Sequence, residues 1–492
     1  MRAFLHFTQP GKRVVFWLAV ASLLSVGAYI LASALYYRYG FPLDDAWIHL
    51  TFARNLVEHG EWAFQPGRPS AGSTSPLWTA WLSIGFPLGL APYIWTYFLG
   101  ALLLFGTALL GEMIVRQLVP TYQPVIPWAG LFFIIEWHLV WAAASGMETM
   151  LHALLIMSVL GMLMSHTRRF MTLGLLVGFS VWVRPDGITL LGPVAVYALL
   201  YQGGGVRRWR ALYAFLFGTM VLFVPYLLFN LTLSGTPMPN TFYAKQAEYS
   251  AWQALPFVSR FVRLALQFFS GPSLALLPGA LLWLTLAMRR RDWGTVVGLV
   301  WLAGYLFIYI SRLPVYQHGR YVIPGMPIFF LWGLLGLFTC MRQERTNKYH
   351  WSLLTGWRLF ILGISGAFWL FGARAYAQDV ALIESEMVET AKWVSENIPG
   401  GELIAAHDIG ALGFFDTHPI LDLAGLVSPE VIPILRDEDQ LLMYLESNDV
   451  NYLIAFPDFY PLLSKLSSPV FITNGSIAPL LGGENMVVFR LP

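Results

Sequence analysis

The sequence predicts an α-helical integral membrane protein of about eleven spans with a small extracytoplasmic α/β domain at its C-terminus. Three observations carry that expectation. The chain is 57% hydrophobic and only 12% charged, with a mean hydropathy of +0.59, whereas soluble domains hold roughly 25% charged residues. Apolar stretches of span length recur up to residue 373. Beyond about residue 376 the composition turns into that of a soluble domain. The domains are therefore placed at 1–376, membrane-embedded with a first outer loop at 37–91, and at 377–492.

Taken in order, the apolar segments are 14–36, 92–118, 124–143, 148–165, 169–184, 188–202, 211–231, 272–288, 293–311, 321–340 and 353–373. Each is close to the roughly 17 to 25 residues that cross a hydrocarbon core. The N-terminal MRAFLHFTQPGKR is followed by too long an apolar run for a cleaved signal, and is read as leading into a retained first helix. Segment 76–90 is short and broken by Gly and Pro, so it reads as interfacial, re-entrant or an extension of the second helix. Lys and Arg clusters in short loops mark the cytoplasmic side. Those at Arg2 to Arg13, Arg116, Arg168, Arg207 to Arg210, Arg289 to Arg291 and Arg342 to Lys348 fall on one side if 76–90 is not a full crossing. The N-terminus is then cytoplasmic and the C-terminal domain outside.

With this topology five polar motifs share the outer face: the first loop, SGMET (Ser145 to Thr149), RPDG (Arg184 to Gly187), PMPNTFYAK (Pro237 to Lys245) and YQHGRYVIP (Tyr316 to Pro324). The C-terminal region alternates an amphipathic helix at 378–398 with short strands IAA, ILDL, YLIAF, VFI and MVVF, and a helix near 437–447. The formal charge of +2 gives no reason to expect nucleic acid. A single cysteine, Cys340, excludes an internal disulfide and a cysteine-cluster metal site. The run of glycines at 203–205 lacks the remaining residues of a phosphate-binding P-loop. The many Trp and Tyr residues need only aromatic belts to explain them, and Asn474-Gly475-Ser476 matches an acceptor sequon by a weak pattern.

The chemistry centres on Asp44 and Asp45, adjacent acids directly after the first span. Ionisable groups at a membrane boundary point to function. In the helix that follows, Ile48, Phe52 and Leu56 recur every fourth residue, predicting a one-sided helix along the membrane surface that stops at Gly60. Asp44 suits the N-cap of that helix; the second acid exceeds what a cap needs and is free to take a proton from a hydroxyl. Arg184, Lys245 and Arg320 sit in outer loops or at outer helix ends, where cations are disfavoured unless they snorkel or bind an anion such as phosphate. Asp186 is placed to neutralise Arg184. Glu148, His318, His407 and Asp408 are candidates of the kind that also serve as caps or structural hydrogen-bond partners. These oxygen and nitrogen donors are compatible with a divalent metal, although no HExxH-type spacing is present; no other cofactor is expected.

On DDAWIHLTFARNL, SAGSTSPLW, SGMET, RPDG and PNTFYAK, the chain resembles the GT-C superfamily of polyprenyl-phosphate-sugar-dependent glycosyltransferases. Within it, these motifs are most similar to the terminal arabinofuranosyltransferases of mycobacterial cell-wall arabinan. The resemblance implies a GT-C-like membrane domain and an inverting transfer from a polyprenyl-phosphate sugar to the hydroxyl of an extracytoplasmic glycan, lipid or protein. It makes Asp44 or Asp45 the general base and gives Arg184, Lys245 or Arg320 the donor phosphate. Arg54, Glu148, Asp186, Asn240, Tyr243, His318, His407 and Asp408 are candidate substrate-binding groups. No residue ties the donor to arabinofuranose rather than mannose or glucose. The alternative from another class is a transporter or flippase of lipid-linked sugars, which would carry its ionisable groups near mid-membrane; third is a membrane-anchored binding or assembly protein acting through the C-terminal domain.

Overall fold

The computed structural model describes residues 10–200, 205–341 and 348–491. Parts of two basic clusters used for orientation, Arg2 and its neighbours and the run from Arg342, lie outside these residues, as does most of the 203–205 glycine run. The first half of the chain contains α1 (Lys12–Tyr36), α2 (Asp45–Glu58), strands β1 (Ala63–Gln65) and β2 (Arg68–Pro69), α3 (Pro76–Ser83), α4 (Pro92–Leu118), α5 (Trp128–Ile135), α6 (Trp137–Ala144), α7 (Thr149–Met164), α8 (Phe170–Val183), α9 (Leu191–Leu200) and α10 (Val206–Ser234). Then come α11 (Asn240–Glu248), α12 (Ser250–Gln253), α13 (Phe257–Phe268), α14 (Pro272–Arg290), α15 (Trp293–Arg312), α16 (Met326–Met341) and α17 (Lys348–Ile383).

Among the described residues seven helical runs are long and apolar enough to cross a membrane, and 149–164, 170–183 and 185–200 are shorter apolar helices. Among the described residues all the apolar segments read from the sequence are helical, and one of them is interrupted for a local reason. The 124–143 segment is two helices, because Glu136 adopts an extended backbone and its carboxylate accepts from the amide of Leu139 at 3.1 Å to cap α6. Segment 76–90 is the short helix α3 followed by turns. The stretch between the 211–231 and 272–288 segments, whose PMPNTFYAK motif was read as part of a loop, forms α11 to α13. Tight helix pairs rest on small residues: at the α14–α16 crossing a side chain on Gly336 would fall on the Gly279 carbonyl, as expected where van der Waals packing joins membrane helices.

α17 runs without a break past residue 376 and passes through a π-helical turn at Glu384–Val388 into α18 (Glu389–Asn397). The predicted amphipathic helix at 378–398 is therefore its continuation. Five strands follow, β3 (Ile404–Ala406), β4 (Ile420–Asp422), β5 (Tyr452–Ala455), β6 (Ser468–Ile472) and β7 (Val487–Arg490), in the order β4-β3-β5-β7-β6. β4, β3 and β5 are parallel, and β7 is antiparallel to both β5 and β6. Between the first strands lies α19 (Gly410–Phe415), and α20 (Glu438–Ser447) precedes β5.

α2 is where the two parts meet. The sequence expectation of a one-sided surface helix fails here: Ala46 through Ala53 are all buried, because α19 packs on α2 in addition to α3 and β1. Its predicted stop holds, with Gly60 at φ +69° just past the helix. Asn55 then hooks the following chain by donating to the carbonyls of Ala63 and Phe64 at 3.0 and 2.8 Å.

Candidate active site

Asp44 occupies the N-cap position of α2, yet its side chain makes no capping bond there. The carboxylate turns to α19 and accepts from the amides of Gly410 and Ala411 at 2.6 and 2.8 Å. A side chain at 410 would collide with Asp44, so glycine permits the approach. Asp44 thus caps a helix 366 positions away in the chain, an interaction outside the reach of local sequence rules. Arg54 holds the other end of α19, donating to the carbonyls of Phe414 and Gly413 at 2.7 and 3.0 Å, which suits a cation at a helix C-terminus.

Asp45 opens α2 and faces the bundle. Arg320 Nη1 donates to Asp45 Oδ2 at 2.7 Å, and Nη2 donates to the Tyr321 hydroxyl at 2.9 Å. The Tyr321 ring is a hub: Arg320 Cζ lies 4.9 Å from its centroid, Lys245 Nζ 5.3 Å and Arg184 Cζ 5.7 Å. Tyr309 stacks on the same ring at 5.9 Å. Three cations from three separate parts of the chain therefore surround one aromatic ring, whose π-face attracts each of them. Lys245 has no carboxylate within ion-pair distance among the described residues, and the buried Nε of Arg320 has no hydrogen-bond partner.

Arg184 is placed differently. It donates to Glu148 at 3.0 Å, to Asp186 at 3.1 Å and to the Tyr309 hydroxyl at 3.4 Å. Asp186 also accepts from Tyr305 at 3.2 Å and from Tyr309, and lies 3.6 Å from His152. His49 lies 3.5 Å from Glu148, with its other ring nitrogen 3.2 Å from Ser73 and 3.0 Å from Thr79. This buried chain joins the first-loop SAGSTSPLW, SGMET and RPDG. His49 and Tyr321 were missed in the sequence; the signals were there, His49 four residues after Asp45 on one helix face and Tyr321 beside Arg320.

Burial pushes the Asp45 carboxyl up, but Arg320 and Lys245 outweigh it and hold it at about 2. Burial raises Asp408 to about 7, with Asp45, Glu248 and Asp422 adding to it. Asp44 is also raised to about 7 by burial and by Asp408, against the pull of the Ala411 and Gly410 amides. The two amide donors favour the charged form of Asp44, and Asp408 has no such donor at its buried Oδ2.

The remaining candidates lie around this centre. Asn240 donates to the Leu426 carbonyl at 3.2 Å and ties α11 to the C-terminal domain, while Tyr243 packs edge-on to Phe242. His407 and Asp408 follow the carboxyl end of β3, with His407 Nδ1 2.8 Å from the Tyr460 hydroxyl. Burial lowers the His407 pKa, against the opposing pull of Glu248 and Asp422. His318 is turned away from Asp45, with Nε2 2.8 Å from Asp379. Among the described residues no three His, Cys, Asp or Glu side chains are gathered to hold a metal ion.

A membrane-helix bundle with an acid-bearing first loop and an α/β C-terminal region defines the class: a polytopic membrane protein whose fold recurs in solved structures. Solved structures share it over nearly the whole chain. ArnT from Cupriavidus metallidurans, in a crystal structure with undecaprenyl phosphate, is 16% identical, with 96% of this chain and 98% of that one covered at a TM-score of 0.60. Its apo form gives the same identity and TM-score. The mycobacterial arabinofuranosyltransferase AftD, solved by cryo-EM, is 15% identical at a TM-score of 0.55, covering 98% of this chain and 40% of that one. At such identities the likeness is one of fold. A family model described as a domain of unknown function (DUF8728) matches residues 375–489. No curated protein matches the chain by sequence.

Proposed function

We propose that the chain is a membrane glycosyltransferase that moves a sugar, with inversion, from a polyprenyl-phosphate donor to the hydroxyl of an extracytoplasmic glycan, lipid or protein. The observation that carries this reading is the pair of incompletely partnered cations, Lys245 and Arg320, beside Asp45 around Tyr321. Undecaprenyl phosphate in the ArnT structure supports the same donor class. Charge separates the cations by role. Arg184 is already offset by Glu148 and Asp186, so it builds the wall of the site, and Lys245 and Arg320 take the donor phosphate.

Asp45 is the general base. While Arg320 rests on it, Asp45 is held at about 2 and is a weak base; a phosphate that draws Arg320 and Lys245 towards itself lifts that restraint. The acceptor hydroxyl then gives its proton to an Asp45 oxygen as its own oxygen bonds to the anomeric carbon. The anomeric carbon–oxygen bond to phosphate breaks, its electron pair goes to the phosphate oxygen, and the two cations stabilise the departing lipid phosphate. Removing a preorganised donor of this kind costs about 2.7–4 kcal/mol. Asp44 joins the two domains at α19. The multi-pass chain is oriented with its N-terminus cytoplasmic and this site outside.

The test is to offer the purified protein a panel of polyprenyl-phosphate sugars, arabinofuranosyl among them, with membrane extracts as acceptor. Consumption of one donor with release of lipid phosphate is expected. Consumption of none, combined with movement of intact lipid-linked sugar across a vesicle membrane, would replace this reading by the flippase.

A further inference from the structure

Arg320 is reached through an unusual piece of backbone. Gln317, His318 and Gly319 follow one another at φ +46°, +58° and +75° in the link between α15 and α16. Only glycine adopts this left-handed region without steric cost, so Gln317 and His318 hold it only where their surroundings impose it. His318 Nε2 lies 2.8 Å from Asp379 Oδ2, and the Trp141 indole N–H donates to that same oxygen at 2.9 Å. The rings of Trp137 and Trp141 each stand edge-on to His318 at 5.5 Å. Asp379 belongs to α17 and Trp141 to α6, so the anchor lies in two bundle helices. Immediately after the strained residues, Arg320 returns to right-handed backbone, its amide donates to the Gln317 carbonyl at 3.2 Å, and its guanidinium reaches Asp45.

We infer that the left-handed strap Gln317–Gly319, clamped through His318 onto Asp379, is what presents Arg320 to the donor phosphate, making His318 and Asp379 positioning residues for donor binding. This rests on the reading of Lys245 and Arg320 as the phosphate site. The clamp acts on the backbone one residue before the guanidinium, so releasing it lets the strap relax toward right-handed conformations and carries Arg320 away from Asp45 and Lys245. His318 itself is engaged with Asp379 and does not touch the phosphate.

The full-length protein in detergent is titrated with undecaprenyl phosphate as wild type, His318→Gln, Asp379→Asn, Arg320→Ala and each of the first two combined with Arg320→Ala. Trp141→Phe, which removes the indole N–H donor to Asp379 together with part of the ring, and thermal melting of every variant cover the case of a variant that does not fold. Each clamp variant is expected to weaken binding about tenfold, and to have less than a twofold effect once Arg320 is gone, since residues acting through one another are non-additive. Undiminished weakening in the Arg320→Ala background would make His318 a direct ligand or a general structural residue and overturn the inference. Wild-type binding by both clamp variants, with Arg320→Ala impaired, would overturn it and leave the proposed function standing. Equal binding by wild type and Arg320→Ala would remove the phosphate site, and both readings with it.

Discussion

Two cation–carboxylate assemblies share the Tyr309–Tyr321 stack, and they differ in how completely their charges are matched. In one, Arg184 spends its guanidinium on Glu148, Asp186 and Tyr309, with His49, His152 and Tyr305 around the two acids. In the other, Arg320 has one carboxylate and an unpartnered Nε, and Lys245 has no carboxylate among the described residues. A buried charge costs several kcal/mol unless paired. The matched assembly is thus what a scaffold requires, and the unmatched one is what the proposed phosphate site calls for. On that proposal the same residue types, at the same end of the bundle, are sorted into wall and site by their partners.

The comparison breaks most visibly if the unmatched cations are removed. Lys245→Ala and Arg320→Ala are each expected to lower transfer by about 10²–10³-fold with little loss of stability, read from initial rates on a polyprenyl-phosphate sugar and from melting curves. The matched assembly should behave in the opposite way. Glu148→Gln leaves a buried Arg184 short of a partner, and is expected to destabilise the detergent-solubilised protein by about 3 kcal/mol while the folded fraction still binds undecaprenyl phosphate. Loss of binding without loss of stability would merge the two assemblies into one.

Smaller effects sharpen the boundary between the membrane and C-terminal domains. Asp408 has its pKa raised in the fold, so the folded state holds a proton that the unfolded chain gives up above about pH 4. Stability therefore falls as pH rises from there through about 7. Asp408→Asn removes the cost, and its melting temperature should match wild type at pH 4 and exceed it by about 3 °C or more at pH 8. Asp44→Asn weakens the cap on α19; about 1 kcal/mol of local stability is expected to be lost, seen as faster hydrogen exchange across Gly410–Phe415, with transfer reduced less than tenfold.

The membrane helices and the C-terminal strands were legible because each depends on a local period or on a run of span length. The residues gathered around Tyr321 were legible in part: Asp45, Arg184, Lys245 and Arg320 stand out as charges in a chain that has few. What could not be read was partnership. Asp44 looked like the cap of its own helix because nothing near it in sequence announces α19, and α2 looked one-sided because the face α19 covers was assigned to water. His318 stood open in the sequence between a substrate-binding group and a structural hydrogen-bond partner; the partner that decides it, Asp379, is 61 positions away on a helix whose continuation past residue 376 the composition shift concealed. Glu136, buried and capping α6, went unread for a different reason: its partners at Leu139 and His138 are local, but it lies inside a run read only for its apolar length.

In the proposed mechanism Asp45 acts as base beside a phosphate site that binds without it. The direct measurement is on Asp45→Asn, comparing undecaprenyl-phosphate affinity with transfer from the donor sugar that the wild type consumes. Affinity equal to wild type or tighter, with transfer down about 10³-fold, is the predicted result. Near-normal transfer, or a loss of affinity that accounts for the lost transfer, would contradict it.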